Sequence, residues 1–317
     1  MGINQKDALD YFASDDLIGI GMEADAVRRR LHPEGVVSYT IDGRIDYAKA
    51  ANGAGPERIF EGISKTIAKG GTGVMLQGKI SPELTIAWFD GLFRSIKERF
   101  PAVWLHCLSA SEVLAIAEQS GLNVQDTIAQ LHDAGLDSIP GEDAGILDDA
   151  VQHSGAQTRK AEDWIAVHRA AHLLGVQTTA TMTFGSGETF EHRVNHLEAV
   201  RELQEETGGF TSFTPLSFAP QSSAMSGFEE ATAVEYLKAL AISRMYLDNI
   251  ENVQSNLETQ GLKVLQVGLR FGGNDVGSVL LAEGANAGTE EQVRQVIRDA
   301  GFKPVQRDTL YRTMFLN

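Results

Sequence analysis

Residues 34–62 read EGVVSYTIDGRIDYAKAANGAGPERIFEG. The run from Val36 to Ile41 predicts a strand, and Asp42, Arg44, Asp46 and Tyr47 a polar loop. The glycines that follow predict a turn, and Pro56 the start of a helix. The same unit recurs about eight times along the chain: a short apolar strand, a polar strand end, an amphipathic helix. KGGTGVMLQGK (69–79) predicts a strand ending at Gln77-Gly78, with a helix from Pro82. AVWLHCLS (102–109) predicts a third strand, with a helix capped at Ser109 or Ser111. LDSIPG, VQTTATMTFG, FTSFTPLSF, NVQSN and DVGSVLL continue the series.

Strands alternating with helices predict an α/β chain with parallel strands. No Gly-x-Gly-x-x-Gly follows a strand, so a closed (β/α)8 barrel of the TIM type is favoured over a dinucleotide-binding sheet. The expected organisation is a helical cap over residues 1–34, the barrel over 35–288, and a C-terminal helix and tail over 289–317 packed on it.

Composition narrows the partners. The 317 residues are 43% hydrophobic and 22% charged, with a net charge of −16. That acidity argues against nucleic acid, which needs a basic surface. No apolar run reaches the roughly 18 residues of a membrane span, and the start MGINQKDALDYF lacks a secretory pattern, so a cytoplasmic protein acting on a small molecule is expected. A single cysteine, Cys107, excludes an internal disulfide framework and a site built from several thiolates of one chain.

In a barrel the chemistry sits just after the strands. Those positions hold Asp42 and Tyr47, then Gln77 and Lys79, then His106. Beyond them come Glu142 and Asp143, then Gly185, Gly187 and Glu188, Thr214, Asn256 and Glu258. Lys79 beside Glu142 and Asp143 would make an acid/base or electrostatic group, or Lys79 a Schiff-base nucleophile; a rim salt bridge is the competing reading. His106 is either a core histidine or a proton carrier or orienter, and Cys107 should face the opposite way. Two histidine pairs, His168/His172 and His192/His196, have helical i, i+4 spacing. They fall on helices outside the barrel and no metal role is expected. The remaining candidates are expected to bind ligand, Gly185 to Glu188 through backbone N–H groups.

Several long stretches carry a family resemblance: SDDLIGIGMEADAVRRRLHPEGVVSYTID, GGTGVMLQG, LHCLSASE, AGLDSIPG, TTATMTFG, LQEETGGFT and TQGLKVLQVGLRFGGNDVGS. Nearly end to end, the chain resembles the cyclic dehypoxanthine futalosine synthases of the futalosine menaquinone pathway, which are radical S-adenosylmethionine (SAM) barrels. The resemblance implies a Cys-x3-Cys-x2-Cys loop after the first strand, holding a [4Fe–4S] cluster. This sequence instead runs IDGRIDYAKAANGAGPERIF there, without cysteine. The family's Gly-Gly after strand 2 reads Gly78-Lys79, and its glycine-rich segment after strand 4 reads Gly141-Glu142-Asp143-Ala144-Gly145.

From these departures the expectation is a radical-SAM-like barrel reshaped at its catalytic face. No cofactor and no [4Fe–4S] cluster are expected, SAM is disfavoured, and the chemistry is polar and non-radical at most. Lys79, His106, Glu142 and Asp143 are the expected catalytic residues. The alternatives are a catalytically inactive scaffold related to menaquinone biosynthesis and a residual SAM-binding protein.

Overall fold

Strand β1 (Val36–Thr40) is the central strand of a three-stranded parallel sheet, and the chain running on from it into the seven-stranded sheet joins the two into the barrel wall. One edge of β1 pairs in parallel with β9 (Asp275–Ser278). After Ile41 and Asp42 the chain continues as β2 (Gly43–Asp46), which pairs with β3 (Gly73–Gln77). The wall then runs through β4 (Trp104–Cys107), β5 (Ser138–Ile139), β6 (Gln177–Phe184), β7 (Phe210–Ser217) and β8 (Asn252–Val253). A parallel bridge from Gln254 to Asp275 joins β8 to β9. The computed structural model describes residues 2–48, 55–151, 160–218, 231–281 and 286–312. The expected glycine turn at 49–54 and parts of the polar ends of strands 6 and 8 lie outside the described residues.

Helices α3 (Glu57–Ala68), α4 (Ile86–Arg99), α5 (Ala110–Ser120), α6 (Val124–Ala134), α7 (Ala161–Leu173), α8 (Phe190–Thr207), α9 (Ala233–Tyr246) and α10 (Leu257–Gly268) follow their strands. Apart from α3 and α7, which have Pro56 and Lys160 at their N-caps, their starts carry short polar side chains suited to accept the first orphan backbone N–H groups. Ser109 and Glu112 form the expected capping box on α5, and Thr189 and Thr232 cap α8 and α9. The second expected start shifts: α4 begins at Ile86 under a Thr85 cap, so Pro82 lies in the turn before it.

Helices α1 (Gln5–Ala13) and α2 (Leu17–Leu31) share the main core, burying Ala8, Phe12, Ile20 and Ala24. Phe12 stacks on Phe190 of α8 at 5.2 Å between centroids. After α11 (Glu290–Asp299) the tail is more ordered than a tail: Lys303–Gln306 forms β10, parallel to β1 on its other edge. Pro304 is tolerated because β10 is an edge strand. Beyond it, Arg307 enters the bottom of the barrel and pairs with Asp275 at 2.5 and 2.8 Å, both side chains almost fully buried.

No helix of the described residues is long and apolar enough to cross a membrane.

Candidate functional site

A cavity of about 130 Å³ occupies the barrel interior and opens at the C-terminal ends of the strands. Its upper part is an ion cluster assembled from three distant segments. Arg44 of β2 donates through Nη1 to Glu258 Oε1 at 2.6 Å and through Nη2 to Glu258 Oε2 and Glu142 Oε1, each at 3.3 Å. The three side chains keep 31–33% of their surface exposed, so a ligand can reach them.

Local structure aims each member. Glu258 sits in the first turn of α10 behind the Asn256 cap, where the helix N-terminus favours a carboxylate. Gly141 packs so closely on β6 that a Cβ would lie 2.2 Å from the Thr179 carbonyl oxygen. Its N–H donates to Thr179 Oγ1 and its carbonyl accepts from Thr181 Oγ1, which pins the turn carrying Glu142. Burial pushes the Glu142 carboxyl above its ordinary range. Arg44 opposes the shift, while Glu258 and Asp143 add to it. Burial works against the charge on Arg44, but its two carboxylate partners outweigh it and raise its pKa.

Deeper in the cavity lie His106, Thr181, Thr214 and Gln254, with Arg307 and Tyr311 from the C-terminal segment. Thr214 Oγ1 donates to Gln254 Oε1 at 3.2 Å. His106 is 8% exposed and its pKa is pushed down to about 3, by burial first and by the Arg307 charge second. At pH 7 it is neutral, so the reading of His106 as a proton carrier is disfavoured and that of an orienter favoured.

Of the candidates named from the sequence, the cavity gathers Asp42, His106, Glu142, Thr214, Asn256 and Glu258. Asp42 is also a clamp: it accepts from the Gly73 N–H at 2.9 Å and from Thr309 Oγ1 at 3.1 Å. The Lys79–Glu142–Asp143 group does not form. Lys79 is exposed and lines a separate surface hollow with Ile80, Ser81 and Pro82. Arg44 holds the place beside Glu142 that Lys79 was expected to hold. Asp143, at φ +67, turns to accept from the Ser111 N–H at 2.9 Å at the start of α5.

Tyr47 is buried, its hydroxyl within hydrogen-bond reach of both the Gly78 carbonyl, at 2.9 Å, and Glu112, with its ring edge-on to Phe89. Gln77 does not line the cavity, and its buried Oε1 has no hydrogen-bond partner among the described residues. The strand 5 loop is occupied by its own side chain. Glu188 accepts from the N–H groups of Gly185 and Ser186 at 2.7 and 2.9 Å and pairs with Arg193 at 2.7 Å. Gly185 and Gly187 supply the left-handed turn, at φ +96 and +103. Those N–H groups already have their acceptor.

The paired histidines make local contacts: His172 bonds Thr207 and Thr178, His196 accepts from the Leu147 N–H, His192 accepts from the Thr189 N–H, and the His168 ring lies tilted against Trp164. Among the described residues no cluster of three metal-ligating side chains occurs.

A family model described as the CofH/MqnC C-terminal region matches residues 207–316. A cyclic dehypoxanthine futalosine synthase from Halalkalibacterium halodurans is 37% identical over 98% of this chain and 90% of its own length. A protein of the same name from Streptomyces coelicolor is 34% identical over 99% of this chain and 86% of its own. A 5-amino-6-(D-ribitylamino)uracil–L-tyrosine 4-hydroxyphenyl transferase from Methanothermobacter thermautotrophicus is 40% identical over 81% of this chain and 74% of its own. Among solved structures, methylornithine synthase has a TM-score of 0.71 at 15% identity, covering 96% of this chain and 94% of its own. HydG, a maturase of the [FeFe]-hydrogenase, has a TM-score of 0.74 at 11% identity, covering 98% of this chain and 74% of its own.

These matches correct two expectations. The relatives, aligned over 81–99% of the chain, are named as synthases and a transferase, so the reading of a cluster-less scaffold with at most polar chemistry is overturned. The expectation of a chain without cofactors falls with it, since the relatives and fold neighbours are of the radical SAM type, whose enzymes hold a [4Fe–4S] cluster and SAM.

Toward such a cluster this chain's own residues do not fit. The sequence has one cysteine, and Cys107 is fully buried on the core side of β4, its thiol pushed up by burial. By fold and by near full-length similarity, the chain belongs to the radical SAM barrel family that includes the cyclic dehypoxanthine futalosine synthases.

Proposed function

We propose that this protein is an enzyme acting on a small molecule of the futalosine kind, held at the barrel mouth against Arg44, Glu142 and Glu258. The observation that supports it is the 37% identity over 98% of the chain with a protein named cyclic dehypoxanthine futalosine synthase. That name describes a cyclic product, so the matching precursor is open-chain dehypoxanthine futalosine.

The cavity chemistry suits such a molecule. Arg44 offers N–H donors already oriented by two carboxylates, and Glu258 and Gln254 offer acceptors. Thr181 and Thr214 add hydroxyls that both donate and accept. Glu142, its pKa raised by burial, is the side chain suited to hold or release a proton at the mouth. A cytoplasmic setting without a nucleic-acid partner is part of the same reading, and the net charge of −16 supports the latter.

The test is a direct assay. Purified protein is incubated anaerobically with open-chain dehypoxanthine futalosine, with and without SAM and a reductant, and the cyclic product is followed by mass spectrometry. Binding is measured in parallel by calorimetry. Ring closure, or binding that Arg44→Ala weakens by at least about tenfold, supports the reading. Neither product nor Arg44-dependent binding overturns it.

A further inference from the structure

A buried chain of hydrogen bonds behind the cavity fixes which nitrogen of His106 carries its proton. Ser138 Oγ lies 2.8 Å from Trp104 Nε1 and 2.7 Å from His106 Nδ1. An indole N–H can only donate, so Trp104 gives its hydrogen to the serine oxygen. The serine hydrogen is left with one acceptor among the described residues, His106 Nδ1. Were Nδ1 protonated instead, the buried serine O–H would lose its partner, at a cost of roughly 1–3 kcal/mol.

Nδ1 is therefore the acceptor, and a neutral ring then carries its hydrogen on Nε2. Burial holds the ring neutral, and the charged group facing it across the cavity is Arg307, which acts in the same direction. Leu105 and Cys107, the neighbours of His106 on β4, are fully buried in the core, whereas His106 lines the cavity. Its Nε2 has no protein hydrogen-bond partner among the described residues.

We propose that His106 Nε2–H is a fixed hydrogen-bond donor aimed into the cavity, a specificity-determining residue for an oxygen or nitrogen acceptor on the ligand, with Ser138 as its positioning residue. This rests on the cavity being the ligand site, but not on the ring-closing reaction. The relay Trp104 to Ser138 to His106 delivers a donor without a charge. A carbonyl or ether oxygen is welcome at this point, and an ammonium, which has only hydrogens to offer, is rejected.

The test uses the whole ¹⁵N-labelled protein and needs no knowledge of the natural ligand. Long-range ¹H–¹⁵N correlations report the protonation of each imidazole nitrogen, with His106→Gln identifying the His106 signals. The expected spectrum has Nε2 protonated and Nδ1 bare, unchanged across the neutral pH range. A proton on Nδ1, or on both nitrogens, overturns the proposal. Ser138→Ala should produce averaged nitrogens while Ser138→Thr, which keeps the hydroxyl, restores the single form; a fixed tautomer in Ser138→Ala removes Ser138 from its positioning role.

Formamide, a small carbonyl acceptor, should then shift the Nε2–H proton resonance saturably, and methylammonium should not. Equal responses to the two probes, or none to formamide, overturn the donor role. These readouts are independent of whether futalosine-type compounds are turned over.

Discussion

The barrel holds arginine against carboxylate at two levels, and the two pairs do opposite work. At the bottom, Arg307 and Asp275 are 5% and 0% exposed, and every direction around Asp275 is filled. Ser38 Oγ donates to it at 2.6 Å and the Gly277 N–H at 2.8 Å. At the mouth, Arg44 makes one short contact to Glu258 at 2.6 Å and two at 3.3 Å, and all three side chains stay about a third exposed. The same ions are a sealed rivet in one place and a partly exposed set in the other. Burial and completeness of hydrogen bonding make the difference, since a sealed ion pair that loses one member leaves an uncompensated charge in the interior. An exposed one loses little and can trade a protein partner for a ligand.

Breaking the bottom pair should therefore have the largest effect. Asp275→Ala strands the Arg307 guanidinium, frees the Ser38 hydroxyl and removes the side-chain anchor that ties the segment after β10 to β9. A loss of about 3–5 kcal/mol is expected, a large part of the total stability of a typical domain. Urea unfolding followed by circular dichroism measures it. A loss below about 1 kcal/mol would put the two levels in the same class.

Arg44→Ala should invert that pattern. Its stability change should stay within about 1 kcal/mol, while the affinity for the futalosine-type ligand falls by at least about tenfold. Calorimetry and urea titration on the same preparation separate the two effects. Stability loss with unchanged affinity would make the mouth cluster a second rivet.

A smaller effect should appear in the pH dependence of stability. Burial raises the Glu142 carboxyl above its unfolded value. Below about pH 4, near the ordinary carboxylate pKa, folded and unfolded chains are both protonated. As pH rises, the unfolded chain releases its proton first, so stability falls until the pH has passed the raised folded pKa. Glu142→Gln cannot titrate. Its unfolding midpoint should gain on the wild type through that window and run parallel above it; a constant gap from acid to neutral pH would contradict the assigned shift.

The comparison also shows what the chain's pattern could and could not reveal. Val36 to Ile41, the Ser109–Glu112 cap and the opposed faces of His106 and Cys107 follow from periodicity and local capping, so they are legible within a few residues. The mouth cluster is not local. Arg44 and Glu258 stand 214 positions apart, and no spacing rule links them. Arg44 was visible as a polar residue after the first strand. Its importance comes from β2 continuing that strand inward, where a loop was expected. The tail was hidden for a related reason: Lys303, Pro304 and Gln306 weaken the strand signal of β10, and only pairing with β1 makes a strand of it. Glu188 shows the reverse error. Its glycine-flanked loop has the composition of a ligand cradle, and the acceptor it cradles is its own carboxylate.

The smallest expected effect belongs to the residue that residue type alone made most attractive. Lys79 follows β3 at the C-terminal face of the barrel, where a catalytic cation is plausible by position. The backbone from Gly78 to Pro82 instead carries it to an exposed hollow beside Ala48 and Leu84, away from the Arg44 cluster. An exposed lysine without a buried partner contributes little, so Lys79→Ala should change unfolding free energy by no more than about 0.5 kcal/mol. Ligand affinity should be unchanged, because Arg44 already supplies the positive charge between Glu142 and Glu258. A tenfold affinity loss in Lys79→Ala with Arg44 intact would mean that the ligand spans both hollows, and the boundary of the site would have to be redrawn around the end of β3.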